Sequence, residues 1–289
     1  MRILVFGSTG MLGHKLIQVL GKSAAVWGTV RNNSELLASF DLLPSTRVIS
    51  HVDSMNEASV RSALATARPD IVINAVGIVK QLPTSKDVII TLLVNSIFPH
   101  LLSQLSEEYG YRLITISTDC VFDGVKGNYS ESDKPNADDL YGKSKHLGEV
   151  IADRALTLRT SIIGREIGTA HSLVEWFLSN EGRAVRGYTN AIYSGFPTIV
   201  LADIIKDLIF KFPELHGLYH VSSEPIDKYS LLSLLKKNFG SNINIEPFDD
   251  FRIDRSLDSS KFRNITGFAP QSWEQMLRTM AADPTPYGK

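Results

Sequence analysis

The chain has 289 residues, enough for one large domain or two modest ones. With 43% apolar and 21% charged residues and a formal charge of −1, it reads as a globular protein without the concentrated basic face that nucleic acid requires. The one cysteine, Cys120, excludes an intrachain disulfide, no apolar run approaches the ~18 residues of a membrane span, and a strand directly at the N-terminus leaves no room for a secretory leader, so the expectation is a cytoplasmic protein with no membrane partner.

In chain order, residues 3–6 read as a strand and 11–20 as an amphipathic helix with Leu12, Leu16, Val19 and Leu20 at helical spacing. Further strands are expected at 25–30, 47–51, 71–76, 112–117 and 155–159, with helices at 56–67, 86–108 and 140–152 between them. Continuous apolar runs such as Ile71-Val72-Ile73 suit parallel strands covered on both faces, and the alternation implies right-handed crossovers. The expected fold is therefore α/β: a doubly wound parallel Rossmann-type sheet over residues 1–160. Beyond residue 160 glycines interrupt the rhythm. Helices are expected at 172–179, 201–210 and 229–238 and a strand at 218–221, giving a smaller C-terminal α/β lobe over 161–289, part of 195–210 returning to the first domain. The tail from Asp283 to Lys289 looks frayed.

Between the first strand and helix lies Gly7-Ser8-Thr9-Gly10-Met11-Leu12-Gly13. A dinucleotide pyrophosphate needs backbone N–H groups at a helix N-terminus and no side chain in its way. The spacing is G-x-x-G-x-x-G rather than G-x-G-x-x-G, which widens the loop, but its position after a strand and before a helix is that of the nucleotide-binding fingerprint. An acidic residue at the end of the second strand would bind the NAD ribose, yet residues 14–34 contain none, and Arg31 stands there instead. A guanidinium can pair with the 2′-phosphate of NADP, so NADP(H) is favoured and NAD(H) is the alternative.

Of nine tyrosines only Tyr141 has a lysine four residues on, Lys145, which places both on one helix face. They follow the strand ending in Ser117-Thr118, whose C-terminal edge faces the expected cofactor crevice. Ketone reduction needs an acid for the oxygen. A phenol serves once a neighbouring ammonium lowers its pKa, and Thr118 can hydrogen-bond the same oxygen. The histidines show no metal-ligand spacing, and no metal is expected.

Gly7-x-x-Gly10-x-x-Gly13, Asn74-Ala75-Val76-Gly77, Ser117-Thr118-Asp119 and Tyr141-x-x-x-Lys145, in this order, resemble the extended short-chain dehydrogenase/reductase family. More closely, Ser117 to Gly124, Leu140 to Glu149, Leu158-Arg159-Thr160-Ser161, Gly195-Phe196-Pro197-Thr198, Gly217 to Ser222 and Arg255 to Phe262 are similar to dTDP-4-dehydrorhamnose reductases, a resemblance covering almost the whole chain. It implies Thr118, Tyr141 and Lys145 as the catalytic set. The cofactor would lie along Gly7, Thr9, Gly10, Met11, Leu12, Gly13, Arg31, Val52, Asp53, Asn74, Ala75 and Gly77, with Tyr141 and Lys145 also touching it. It further implies a nucleotide-sugar substrate and a role in dTDP-rhamnose or related polysaccharide biosynthesis. Lys80, Cys120, Arg165 and Arg255 are the substrate-binding candidates, the arginines as partners for a diphosphate.

Three places depart from that family: Cys120 where it has an aromatic, Ile162 where it has a tryptophan, and the segment 78–83. All border the expected sugar pocket. The leading expectation is NADPH-dependent reduction of the 4-keto group of a nucleotide-activated 4-keto-6-deoxysugar. The alternatives are a nucleotide-sugar epimerase or dehydratase and a non-catalytic NADP-binding regulatory subunit. A symmetric homodimer is the default assembly.

Overall fold

Strand β1 (Arg2–Phe6) carries apolar side chains on both faces, and all but the first are buried. The computed structural model describes residues 1–32 and 35–287. After β1 come α1 (Gly13–Leu20), β2 (Ala25–Thr29), α2 (Glu35–Ser39), β3 (Val48–Ile49), α3 (Glu57–Ala67) and β4 (Ile71–Asn74). One long helix, Val88–Tyr109, follows, composed of α4 (Val88–Leu92), a π-helical turn (Leu93–Ile97) and α5 (Phe98–Tyr109). Then come β5 (Arg112–Thr118), α6 (Leu140–Leu147) and β6 (Ala155–Thr160). The second half contains β7 (Ile162–Ile163), α7 (Leu173–Leu178), β8 (Ala184–Tyr193), β9 (Phe196–Pro197), α8 (Thr198–Lys211), β10 (Gly217–His220), β11 (Ile226–Asp227), α9 (Lys228–Phe239), β12 (Asn244–Asp254), α10 (Ser260–Thr266) and α11 (Trp273–Ala281).

The main sheet has seven strands in the order β3-β2-β1-β4-β5-β6-β10, and every pairing is parallel. Because β1 has β2 on one side and β4 on the other, the winding reverses there, and the crevice opens beyond the C-terminal ends of β1 and β4. Alternation along β1 divides the core. Leu4 and Phe6 pack with Leu64 of α3 and Phe98 and Leu102 of α5. Ile3 and Val5 pack with Leu16 of α1 and Leu201 and Leu208 of α8 in a cluster that continues into Leu231 and Met276 of the C-terminal half. Helix α8 and strand β10 thus come back from the second half to complete the main sheet and its covering layer. A second sheet, β11-β8-β12, and the pair β7-β9 lie apart from it.

Several expectations change. The helix expected through residue 152 ends at Leu147, because a Cβ on Gly148 would lie 1.9 Å from the Asn95 carbonyl oxygen, so the backbones touch there. The strand expected at 47–51 shrinks to Val48–Ile49. Strands β8 and β12 and helices α10 and α11 were not foreseen. Strand β12 contains Pro247 and lies at the edge of its sheet, paired with β8, where a proline is tolerated. Contrary to the count of apolar runs, Val88–Tyr109 is long and apolar enough to cross a bilayer by length and composition. Here its Val94, Phe98, Leu102 and Leu105 are buried. The tail is not frayed through Tyr287: Lys15 and Asp283 form an ion pair in which each side chain is 2% exposed. Gly288 and Lys289 lie outside the described residues.

Candidate active site

The glycine loop turns at Gly7, which has φ +81°, and a Cβ there would lie 2.9 Å from the Ala75 backbone. A Cβ on Gly13 would lie 2.0 Å from the Gly7 carbonyl oxygen, so α1 can start this close to the strand only with glycine. Ser8, fully buried, donates to the Thr29 carbonyl (2.7 Å) and ties the loop to β2. Helix α1 begins without a side-chain cap and without an acidic residue in its first turn. Its N-terminal dipole and N–H groups are therefore open to an anion. These residues fit a dinucleotide: a cradle that any Cβ would fill, at an uncapped helix start, on the crevice of the sheet.

Around the cradle, Arg31 is exposed just beyond β2. Val52 is buried and its N–H donates to the Val30 carbonyl (3.1 Å), while the Asp53 carboxylate accepts from Met55 N (2.9 Å). Buried Asn74 at the end of β4 accepts from Val76 N (3.1 Å), and Ala75 N donates to Phe6 O (3.0 Å). Gly77 is exposed beside them, so the segment after β4 follows the cradle along the same edge.

Thr118, Tyr141 and Lys145 meet where β5 ends and α6 begins. Asp139 caps α6 by accepting from Gly142 N (2.9 Å). One helical turn separates Tyr141 from Lys145, whose Nζ donates to the Ile116 carbonyl (2.7 Å). Burial lowers Lys145 to about 8, partly offset by Glu149. The phenol of Tyr141 behaves oppositely to the sequence expectation. Burial raises it well above its ordinary value, Cys120 and nearby carboxylates add to this, and only the facing Thr118 hydroxyl pulls it down. Lys145 is not among the main influences, because its ammonium is turned to the β5 carbonyl. In the structure Tyr141 is thus held protonated.

Thr118 Oγ1 accepts from Cys120 N (3.1 Å) and donates to Asp119 Oδ1 (3.1 Å). Burial pushes the Asp119 carboxyl up, against hydrogen bonds from Cys120 and Thr118 and the charge of Arg255. Burial, then Asp119, pushes the Cys120 thiol up to about 12, so it stays a thiol and is no nucleophile. Behind the site, Glu149 takes Arg159 Nε (2.6 Å) and Nη2 (2.7 Å), and Ser117 Oγ (2.7 Å). Burial alone would raise this carboxyl, but the guanidinium outweighs it and holds it below its usual range.

Of the substrate candidates, three gather here. Arg255 Nε donates to the Phe122 carbonyl (2.8 Å) and its Nη1 lies 3.8 Å from Cys120 Sγ. Lys80 Nζ donates to Asp139 (2.7 Å) and sits 5.5 Å from the Tyr141 ring centroid. Arg165 does not join them: its Nε donates to Glu175 (2.6 Å) and its guanidinium stacks 4.6 Å over Tyr287, which places it with the C-terminal tail. The sequence reading missed Asn95, whose side chain accepts from Ile78 N (2.8 Å) and donates to Ser144 Oγ (3.1 Å), locking the segment after β4 to α6. It also missed Tyr193, whose buried hydroxyl lies near Asp119 and Ser161. Neither belongs to a spaced motif; a polar residue within an apolar helix was the one signal for Asn95. No cluster of three or more metal-ligating side chains occurs among the described residues.

A Rossmann sheet with a glycine cradle and a Thr–Tyr–Lys group on the same edge defines the extended short-chain dehydrogenase/reductase class, whose members are NAD(P)-dependent oxidoreductases. Residues 1–285 match the family described as RmlD substrate binding domain, and the chain belongs to that family. It is 25% identical to a dTDP-4-dehydrorhamnose reductase of Aggregatibacter actinomycetemcomitans over 97% of this chain and 98% of that one. A probable dTDP-4,6-dihydroxy-2-methyloxan-3-one 4-ketoreductase of Streptomyces antibioticus is 31% identical over 77% of this chain and 72% of that one. Methionine adenosyltransferase 2 subunit beta of Danio rerio is 30% identical over 82% and 74%. Among solved structures, a dTDP-4-dehydrorhamnose reductase from Bacillus anthracis in complex with NADP superposes with a TM-score of 0.79 at 22% identity, covering 96% of this chain and 98% of that one.

Proposed function

We propose that this chain reduces the 4-keto group of a nucleotide-activated 4-keto-6-deoxysugar with NADPH. The observation that carries the proposal is Tyr141 faced by Thr118, with Lys145 one helical turn on, at the sheet edge shared with the glycine cradle. Gly7, Gly10, Met11, Leu12 and Gly13 would hold the pyrophosphate, Arg31 the 2′-phosphate, and Asn74, Ala75 and Gly77 the inner wall of the crevice; bound NADPH supplies the hydride. The protonated phenol of Tyr141 would be the acid that delivers a proton to the carbonyl oxygen. Thr118 orients that oxygen by a second hydrogen bond. Lys145 sits one helical turn from Tyr141, its ammonium held by the Ile116 carbonyl, and would hydrogen-bond the nicotinamide ribose. Lys80 and Arg255 would provide the cationic side of the cleft for a sugar diphosphate, with the Cys120 thiol against the Arg255 guanidinium.

The test is anaerobic incubation with a panel of 4-keto nucleotide sugars, followed at the NADPH absorbance band. Tyr141→Phe should lower kcat by about a hundredfold or more while NADPH affinity stays within about twofold. Arg31→Ala should weaken NADPH and leave NADH binding unchanged. Retained turnover by Tyr141→Phe removes the tyrosine from the reaction. The similarity to a methionine adenosyltransferase subunit supports a second reading, in which the chain binds dinucleotide without turnover. Stoichiometric NADPH binding with no oxidation across the panel would favour it.

A further inference from the structure

The C-terminal residues 283–287 lie against the N-terminal half of α1, and the contact reaches the cradle itself. His14 is fully buried, and burial lowers it to about 4, so the ring is neutral and carries one N–H. Its Nδ1 lies 2.8 Å from the Gly10 carbonyl oxygen and its Nε2 lies 2.9 Å from the Tyr287 hydroxyl. A neutral ring forms a relay: Nδ1–H donates to Gly10 O, and the one proton of the Tyr287 hydroxyl is shared between Nε2 and Asp283 Oδ2 (3.0 Å). The Gly10 carbonyl also accepts the His14 backbone N–H (3.1 Å).

That carbonyl belongs to the same rigid peptide unit as the N–H of Met11, and the two point in opposite directions. Holding one therefore aims the other. At a glycine, rotation of this peptide meets little steric resistance, so beyond the His14 backbone N–H the His14 ring is what fixes its carbonyl. The rest of the tail is fastened for the same geometry. Lys15 pairs with Asp283 and donates to Thr285 Oγ1 (2.8 Å), and Arg165 stacks over the Tyr287 ring. Adjacent polar residues His14 and Lys15 are buried on α1 only because the tail covers them.

We infer that residues 283–287 form a clasp on the dinucleotide cradle, in which His14 and Tyr287 are positioning residues that orient the Gly10–Met11 peptide toward a bound pyrophosphate. The inference rests on the dinucleotide reading above and adds to it a distant part of the chain with no glycine motif. Tyr287→Phe removes the relay's hydroxyl without changing the ring, and His14→Phe removes its donor while keeping an aromatic in the same space.

The experiment is equilibrium titration of the full-length chain and both variants with NADPH, NADH and 2′-AMP, alongside urea unfolding without ligand. Both variants should raise the Kd for NADPH and NADH about three- to tenfold, the effect of one lost hydrogen bond. Binding of 2′-AMP, which lacks the pyrophosphate, should stay within about twofold, which separates a positioning effect from general loosening. Unchanged dinucleotide affinity in both variants, or a parallel loss for 2′-AMP, overturns the clasp while leaving the cofactor reading intact. If the unmodified chain binds neither dinucleotide, both fall together.

Discussion

Lys145 offers a measurement in which stability and activity move in opposite directions. Its side chain is buried, and its pKa falls from 10.5 to about 8, chiefly through loss of hydration. Carrying the charge in the folded chain at pH 7 therefore costs about 3 kcal/mol relative to the unfolded chain. Lys145→Met removes that cost and also removes the hydrogen bond to Ile116 O, worth about 1 kcal/mol, so the variant should be more stable by about 2 kcal/mol at pH 7. The pH dependence follows from the direction of the shift. Between about 8 and 10.5 the unfolded chain binds more protons at this site, so the natural chain gains stability with rising pH and the variant does not. The margin should shrink to near zero by about pH 9.5. Urea unfolding of both proteins at pH 7 and at the higher pH reads this directly, and the same variant should lose turnover. A Lys145→Met chain less stable than the natural one at pH 7, or a margin that does not change with pH, would refute the reasoning.

Two further outcomes follow from the geometry. Gly13→Ala places a methyl 2.0 Å from the Gly7 carbonyl oxygen, which only a shift of the loop can relieve, so NADPH affinity should fall by about tenfold or more in a fluorescence titration. Arg159→Met strips Glu149, at 4% side-chain exposure, of its guanidinium and leaves it only Ser117 Oγ and His146 Nδ1, a loss of about 3 kcal/mol by urea unfolding, whereas replacing both Arg159 and Glu149 by apolar residues should recover much of it.

Much of the site was legible because its chemistry is local in sequence. The cradle spans seven residues at a strand–helix junction, and the Tyr141–Lys145 spacing follows from one turn of helix. The departures at Cys120 and Lys80 were visible as residues out of pattern, and the structure sets both beside Tyr141. Arg165 was read as a cation for substrate, but a sequence does not reveal which carboxylate will claim a guanidinium. Glu175 and the Tyr287 ring do so here. The direction of the Tyr141 pKa shift was misjudged for a related reason. Spacing says that an ammonium is one turn away, but burial and the direction of its N–H bonds decide whether the phenol feels it.

The sequence by itself determined the parallel sheet, the winding of its first half and the place of the glycine turn between β1 and α1, since apolar periodicity and glycine placement act over a few residues. Tertiary structure alone decided other links across large separations: β10 pairing with β6 at the edge of the main sheet, β12 finding β8 despite its proline, and Tyr287 reaching His14 across 273 positions. Such contacts depend on which surfaces remain uncovered once the first elements have packed. A tail that has no helical or strand pattern of its own shows no sign in sequence of the buried polar pair it will meet.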